Sequence, residues 1–314
     1  MKFLVAGELN PDLIMRDCRI FPALGKEVQV EDLELSLGSS SAICAAGLAH
    51  LGNSVTFASI VGDDFYGEFC TDALRREGVD VSQVQRRRDW KTGLTVSITS
   101  HGERALVTYP GAIAALTGED LPDHLFAGYD HLHVSSWFLQ DALRPGLKNR
   151  FAAARSAGLT TSLDCGYDPS ETWSQDLLDT LSEVDVFLPN ESEILGITGA
   201  GTVEEGIRKL ENERLLLVVK LGAEGCLASH RGEIFRASAW PVQVVDTTGA
   251  GDSFDAGFLH AWKRADPISD CLHFAAVCGS LSTRGVGGTA AQPDEAEAQR
   301  CIAARRSSSA ASSK

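Results

Sequence analysis

Apolar runs at residues 3–7, 55–61, 130–135, 160–164, 184–188 and 215–221 each have the length of a buried strand. Between them lie helix-length stretches at 41–51, 65–77, 147–157 and 203–211, the first of them Ala-rich. Gly52, Gly78 and Gly158 follow three of these stretches, where a left-handed residue closes a helix. Repeated strand–helix–strand units predict an α/β fold: a doubly wound, mostly parallel sheet with helices on both faces.

Two segments break this alternation. Residues 27–35 alternate polar and apolar side chains, as an exposed antiparallel strand does. Residues 94–99 and 105–109 form two more such runs, joined by Ser100-His101-Gly102-Glu103-Arg104, which reads as a hairpin turn. These pieces predict a small β-sheet lid, inserted at about 12–36 and 90–110 in a single domain spanning 1–304. An edge extension without a lid role is the alternative. The end, 305–314, is Ser- and Ala-rich and is expected to be disordered.

The richest stretch for chemistry is Asp246-Thr247-Thr248-Gly249-Ala250-Gly251-Asp252-Ser253-Phe254. It precedes a helix expected over 253–264, with Phe254, Phe258, Leu259 and Trp262 on its apolar face. Glycines before a helix N-terminus leave backbone N–H groups pointing outward, and with the helix dipole these form an anion site. Gly249, Ala250 and Gly251 are therefore candidates for holding a phosphoryl group. Asp252 in the same turn would repel such a ligand, so its presence there needs a reason. Acceptance of a proton from an attacking hydroxyl is one, and a loose phosphoryl-transfer transition state tolerates a weak base. An N-terminal capping carboxylate is the other.

This stretch matches Asp-Thr-x-Gly-Ala-Gly-Asp, and the chain resembles the ribokinase-like (PfkB) carbohydrate kinases from Gly7 to Pro293. The resemblance implies a ribokinase-like fold that uses ATP and Mg²⁺, with Asp252 as catalytic base and 249–251 as anion hole. Asn190-Glu191-Ser192-Glu193 looks like the family's Asn-x-x-Glu motif, in which Asn190 and Glu193 would organise Mg²⁺ and phosphates through water. Taken alone, they read as a helix cap and a surface charge. Lys220-Leu221-Gly222-Ala223-Glu224-Gly225 is similar to the nucleotide-binding loop, which makes Lys220, Gly222, Gly225 and Thr247 cofactor contacts. Residues 272–283 and 284–289 look like the adenine-side wall. Asp246 and Thr248 match positions where relatives bind an activating K⁺.

At the acceptor end, Asn10 and Asp12 leave the first strand where the family's sugar site has Asn and Asp. Gly38, Ser39 and Ser40 stand in the place of the first signature, usually Gly-Gly-x-x-x-Asn; here Ser39 replaces the second Gly and Ile43 the Asn. A second departure is Asp164-Cys165-Gly166-Tyr167-Asp168, where many sugar kinases carry Asp-Pro-Asn-x-Arg. Arg104, in the hairpin, is a candidate lid contact with the substrate. The implied reaction is ATP-dependent phosphorylation of a sugar hydroxymethyl group. The alternatives are a nucleoside or sugar-phosphate acceptor, or a catalytically silent binding protein.

Composition narrows the rest. The 314-residue chain is 44% hydrophobic, enough for a sizeable core, and its formal net charge of −15 argues against nucleic acid or anionic membrane as a partner. The Arg86-Arg87-Arg88 run reads as a solvated face. The first apolar run is too short for a signal peptide, and no stretch reaches membrane-spanning length. The eight cysteines are scattered without a Cys-x-x-Cys pair, which predicts reduced thiols and a cytoplasmic location. His131 and His133 share a strand face but lack a third metal ligand nearby. No Walker sequence is present, which removes the P-loop class. Exposed lid strands are suited to pairing with a second copy, so a homodimer through the lid is expected.

Overall fold

The computed structural model describes residues 1–16, 18–100 and 103–312, with the side chains of 103–104 and 305–312 excepted. The first half contains β1 (Lys2–Ala6), β2 (Pro11–Arg16), β3 (Asp32–Leu37), α1 (Ser40–His50), β4 (Ser54–Gly62), α2 (Phe65–Arg76), β5 (Asp80–Arg87), β6 (Leu94–Ser100) and β7 (Glu103–Tyr109). There follow β8 (His131–Val134), α3 (Arg144–Ser156), β9 (Thr160–Leu163), α4 (Asp176–Leu181), β10 (Val186–Phe187), α5 (Glu191–Thr198) and α6 (Val203–Leu210). The last part holds β11 (Leu216–Lys220), β12 (Cys226–His230), β13 (Glu233–Ala237), α7 (Ala250–Lys263), α8 (Ile268–Ser282) and α9 (Glu295–Ser312).

The large sheet has the order β13-β12-β11-β10-β9-β8-β1-β4-β5. Its strands from β11 to β5 are parallel; β12 and β13 continue it antiparallel. Period-two alternation divides the side chains between two cores. Phe3 and Val5 pack with α1, α2, α7 and α8, whereas Leu4 and Ala6 pack with α3, α4, α5 and α6. From the interior strand β1 the chain builds outward through β4 and β5, then returns to β8 on the other side of β1. That reversal opens a crevice at the C-terminal strand ends, where ligands of doubly wound sheets bind.

A second, four-stranded sheet has the order β3-β2-β6-β7. Its registers put Asp12, Ser36, Thr95 and Thr108 on one face. The other face carries Leu13, Met15, Leu33, Leu35, Val96, Ile98, Val107 and Tyr109. This sheet is therefore polar on one side and apolar on the other, and Leu33, Val107 and Tyr109 are exposed.

The strand expected over 27–35 is displaced to Asp32–Leu37, because its partner β2 supplies pairing groups only for those six residues. The hairpin turn at 101–102 lies outside the described residues. The helix expected from 253 begins at Ala250, because Gly249 takes the left-handed cap (φ 71°). That start moves Asp252 into the first turn. The backbone of α9 runs through Ser312, across most of the segment expected to be disordered.

His131 and His133 are buried in a file of hydrogen bonds, Thr160–His131–Ser162–His133–Ser135, each 2.7–2.8 Å. Burial pushes His133 down to about 4, against the opposing pull of Asp164, so it is neutral at pH 7. Both of its ring nitrogens bond hydroxyls. The basic run lies on the edge strand β5 and beyond, with Arg87 paired to Asp120 and Arg88 to Asp63. All eight cysteines are free thiols. Among the described residues, no helix is long and apolar enough to cross a membrane.

Candidate active site

The turn before α7 is held by its own side chains. Asp246 accepts from the Thr248 amide and hydroxyl (2.9 and 2.8 Å) and from the Gly287 amide (2.9 Å), which ties the turn to the Gly-rich loop after α8. Asp246 and Thr248 are thereby brought together. Gly249 packs so closely that a Cβ there would lie 2.7 Å from Gly288 Cα and 2.9 Å from Ile43 Cγ2. Ile43, which replaces the usual Asn, therefore fills space beneath this turn. The Ala250 amide donates to the Thr247 carbonyl (3.2 Å). Gly251 and Asp252 follow in the first helical turn, where amides have no intrahelical acceptor.

A cavity of about 580 Å³ opens beside these residues. Its lining includes Lys220, Gly222, Gly225, Thr247, Ala250 and Gly251. Trp240, Val242, Phe254, Ala276 and Gly279 add an apolar wall. Gly225, at φ 103°, is required where the chain turns against Ala237: a Cβ would meet the Ala237 carbonyl at 2.1 Å. The wall expected from 272–283 is present in α8, but the loop 284–289 packs against the turn 246–249 and does not line the cavity. Volume and lining suit a molecule with an apolar ring and a polar, charged end.

Asp252 follows Gly251 of the cavity lining, and the Ser40 hydroxyl, from the loop between β3 and α1, favours its ionised form. Burial first, then the like charge of Asp164, push its carboxyl up to about 7; the Lys220 ammonium acts in the opposite sense. A carboxyl near neutrality accepts a proton better than an ordinary Asp does.

The acceptor-side residues are partly committed to the fold. Asp12 fits against Gly38, whose missing Cβ would sit 2.1 Å from Asp12 Oδ1. Asn10 is buried and donates to Thr95 Oγ1 (3.3 Å), linking the first strand's exit to the smaller sheet. Ser39 keeps the left-handed backbone (φ 74°) expected of the glycine it replaces. Its hydroxyl donates to the Glu8 carbonyl and accepts from the Ala42 amide, capping α1. The Ser41 hydroxyl is turned inward and donates to Glu8 (2.7 Å), and Ser40 acts on Asp252. The Arg104 side chain lies outside the described residues.

Asn190 caps α5 by accepting from the Glu193 amide (2.9 Å), and Glu193 accepts in return from the Asn190 amide and side chain (2.8 and 2.7 Å). Glu193 is buried, not a surface charge, and burial together with Asp164 pushes its carboxyl up to about 7. Asp164, Cys165 and Glu193 place ligand atoms within 4.8 Å of one another. Asp164 and Glu193 already accept N–H bonds there, and Lys220 adds a positive charge, so a cation gains little from this trio.

Sequence reasoning missed the ion cluster beneath the turn. Lys220 Nζ donates to Asp164 (2.7 Å) and to both oxygens of Asp255 (3.2 and 3.1 Å). An acid on the buried face of an otherwise apolar helix was the available signal for Asp255.

The pfkB family carbohydrate kinase model matches residues 2–295. A fructokinase of Klebsiella pneumoniae is 36% identical over 84% of this chain and 91% of its own. An ATP-dependent ribose-1-phosphate kinase of Halopiger xanaduensis is 28% identical over 95% of this chain and 97% of its own. The structure of Arabidopsis thaliana ribokinase complexed with ribose and ATP superposes with a TM-score of 0.82 at 26% identity, covering 96% of this chain and 98% of that one.

Proposed function

Because the chain belongs to the pfkB family of carbohydrate kinases, we propose that it transfers the γ-phosphoryl group of ATP to a sugar hydroxymethyl group, with Asp252 taking the hydroxyl proton. One observation carries this reading. Asp252 is close enough to the Ser40 hydroxyl of the acceptor-side loop for that group to favour its ionised form, while its neighbour Gly251 lines the cavity.

The adenine lies against the apolar wall, and the phosphates extend past Gly222, Gly225 and Thr247 to the start of α7, where the Gly251 amide has no intrahelical acceptor. Asn10, Asp12 and the 38–40 loop hold the sugar hydroxyls under the smaller sheet, which acts as a lid and carries Arg104 as the candidate contact. The hydroxyl O–H bond breaks toward Asp252 as its oxygen bonds to phosphorus, and the β–γ bridge breaks to release ADP. Backbone amides aimed at the migrating group stabilise its charge. Asn190 and Glu193 are the residues of the family motif that would hold Mg²⁺ through water, although their oxygens already accept hydrogen bonds within the α5 cap. Bound there, Mg²⁺ would neutralise phosphate charge.

A sugar-phosphate acceptor is the second reading, favoured by the likeness to the ribose-1-phosphate kinase. It requires a cation at the acceptor end, for which Arg104 is the candidate. Screening free sugars, nucleosides and sugar phosphates for ADP release, with Mg²⁺ and with or without K⁺, separates these readings. A free sugar such as fructose or ribose should drive Mg²⁺-dependent release, and stimulation by K⁺ would assign the Asp246–Thr248 turn to that ion. Release with sugar phosphates alone would favour the second reading, and no release with any acceptor would leave a binding protein.

The apolar face of the lid supports a homodimer, because a patch of this kind is costly to leave in water. Leu33→Glu combined with Val107→Glu, both at exposed positions, is expected to convert a dimer to a monomer in sedimentation velocity. A wild-type monomer at working concentration would remove that assignment.

A further inference from the structure

Lys220 ends β11 at the mouth of the nucleotide cavity, where a lysine would ordinarily be read as a phosphate ligand. Its hydrogen bonds argue otherwise. An ammonium has three donors. Here the acceptors are Asp164 Oδ2 at 2.7 Å and the two Asp255 oxygens at 3.2 and 3.1 Å. Asp255 is 0% exposed, and burial and Asp164 push its carboxyl up, so the ammonium is what favours its charged form. Turning the ammonium toward a phosphate would strand that charge.

The place of the ammonium is equally specific. It lies 3.6 Å from where a Cβ on Gly251 would be, directly beneath the first turn of α7. Asp255 is one turn beyond Asp252 on the same helix. The Lys220 backbone is bridged to Asn190, its amide donating to the Pro189 carbonyl (3.0 Å). Lys220 therefore joins the ends of β9 and β11 and the strand exit at Asn190 to the helix that carries the base.

We propose that Lys220 is a positioning residue for phosphoryl transfer: clamped by Asp164 and Asp255, it fixes the first turn of α7 and balances the charge around Asp252 without touching the nucleotide. This rests on the phosphoryl-transfer reading of the same site. Glu8 from the exit of β1, Asp164 from the end of β9, Asp255 from its own helix and the Cys44 thiol from α1 all face Asp252, beside the Ser40 hydroxyl. Lys220 is the cation of that set. Removing it leaves the base among like charges, which favours its protonated form. Removing Asp164 does the reverse.

The test is the pH profile of kcat with the ATP KM. Lys220→Gln should lower kcat by about 10²–10³-fold, move the acid limb of kcat to higher pH, and leave the KM for ATP within about threefold, as expected of lost transition-state support without lost ground-state binding. Asp164→Asn should move the same limb to lower pH, and Lys220→Arg should restore its position. Limb shifts of opposite sign are not expected from a merely structural residue. An ATP KM raised about tenfold with an unmoved limb would make Lys220 a phosphate ligand. A lowered Tm with an unmoved limb would make it structural; either overturns the proposal. If Lys220→Gln does not fold, Asp164→Asn decides alone: an unmoved or raised limb overturns it. Full turnover in Asp252→Asn would instead sink the phosphoryl-transfer reading itself.

Discussion

Asp252→Asn is expected to lower kcat by about 10³-fold or more while leaving ATP affinity nearly unchanged. Asn keeps the shape of the side chain and its place beside Ser40 but cannot take the proton. A base works only when ionised, so wild-type kcat falls as pH drops through the Asp252 value of about 7. The Asn variant should lack this limb. The same substitution should stabilise the fold. The carboxyl sits near 3.8 in the unfolded chain and about 7 in the folded one, because burial and Asp164 disfavour its charge. Folding with an ionised Asp252 therefore costs stability that grows as pH rises above the unfolded value and levels off above the folded one. Asp252→Asn should raise Tm at pH 8 and change it little near pH 4. A variant with wild-type turnover, or one less stable at pH 8 than the parent, would contradict this account of the carboxylate.

Gly249→Ala should be nearly as damaging, for a steric reason. The residue has φ 71°, a conformation that costs an L-residue about 1–2 kcal/mol. The new Cβ would also stand 2.7 Å from Gly288 Cα and 2.9 Å from the Gly288 carbonyl oxygen, backbone atoms that cannot rotate away. Either the turn or the Gly-rich loop must shift, and the amides that face the migrating phosphoryl group shift with it. A kcat loss of about 10²–10³-fold is expected, together with a lower Tm. Gly251→Ala is the control for fold. Its Cβ would meet only the Lys220 side chain at 3.6–3.9 Å, an ordinary contact, so its Tm should stay near that of the wild type. Wild-type kcat in Gly249→Ala would mean that this turn does not hold the reacting group.

The sheet, its flanking helices and the Gly-Ala-Gly-Asp turn were legible because each depends on local pattern: apolar runs of strand length, glycines at helix ends, glycines at a helix start. β2 is not marked by a pattern of its own, because Pro11-Asp12 opens it and its alternation covers only six residues. β12 and β13 extend the large sheet antiparallel, through a hairpin that the β–α rhythm did not anticipate. The acceptor end was less legible for a different reason. Ser39 could be recognised as a replacement for glycine, but not that its hydroxyl would be tied to the Glu8 carbonyl, 31 residues earlier in the chain. Lys220, Asp164 and Asp255 are separated by 56 and 35 residues, and only the fold brings them together.

The central claim is that one turn at the start of α7 delivers phosphate to a sugar hydroxyl beside Asp252. Its most direct test is ³¹P NMR of the product formed from Mg²⁺, ATP and the best acceptor, wild type against Asp252→Asn. The wild type should yield ADP and a phosphomonoester whose signal is split by two protons, as bonding through a CH₂ requires, and the variant should yield neither at a comparable rate. ATP turned over to ADP and free phosphate alone, or the same phosphomonoester made equally fast by the variant, would contradict it.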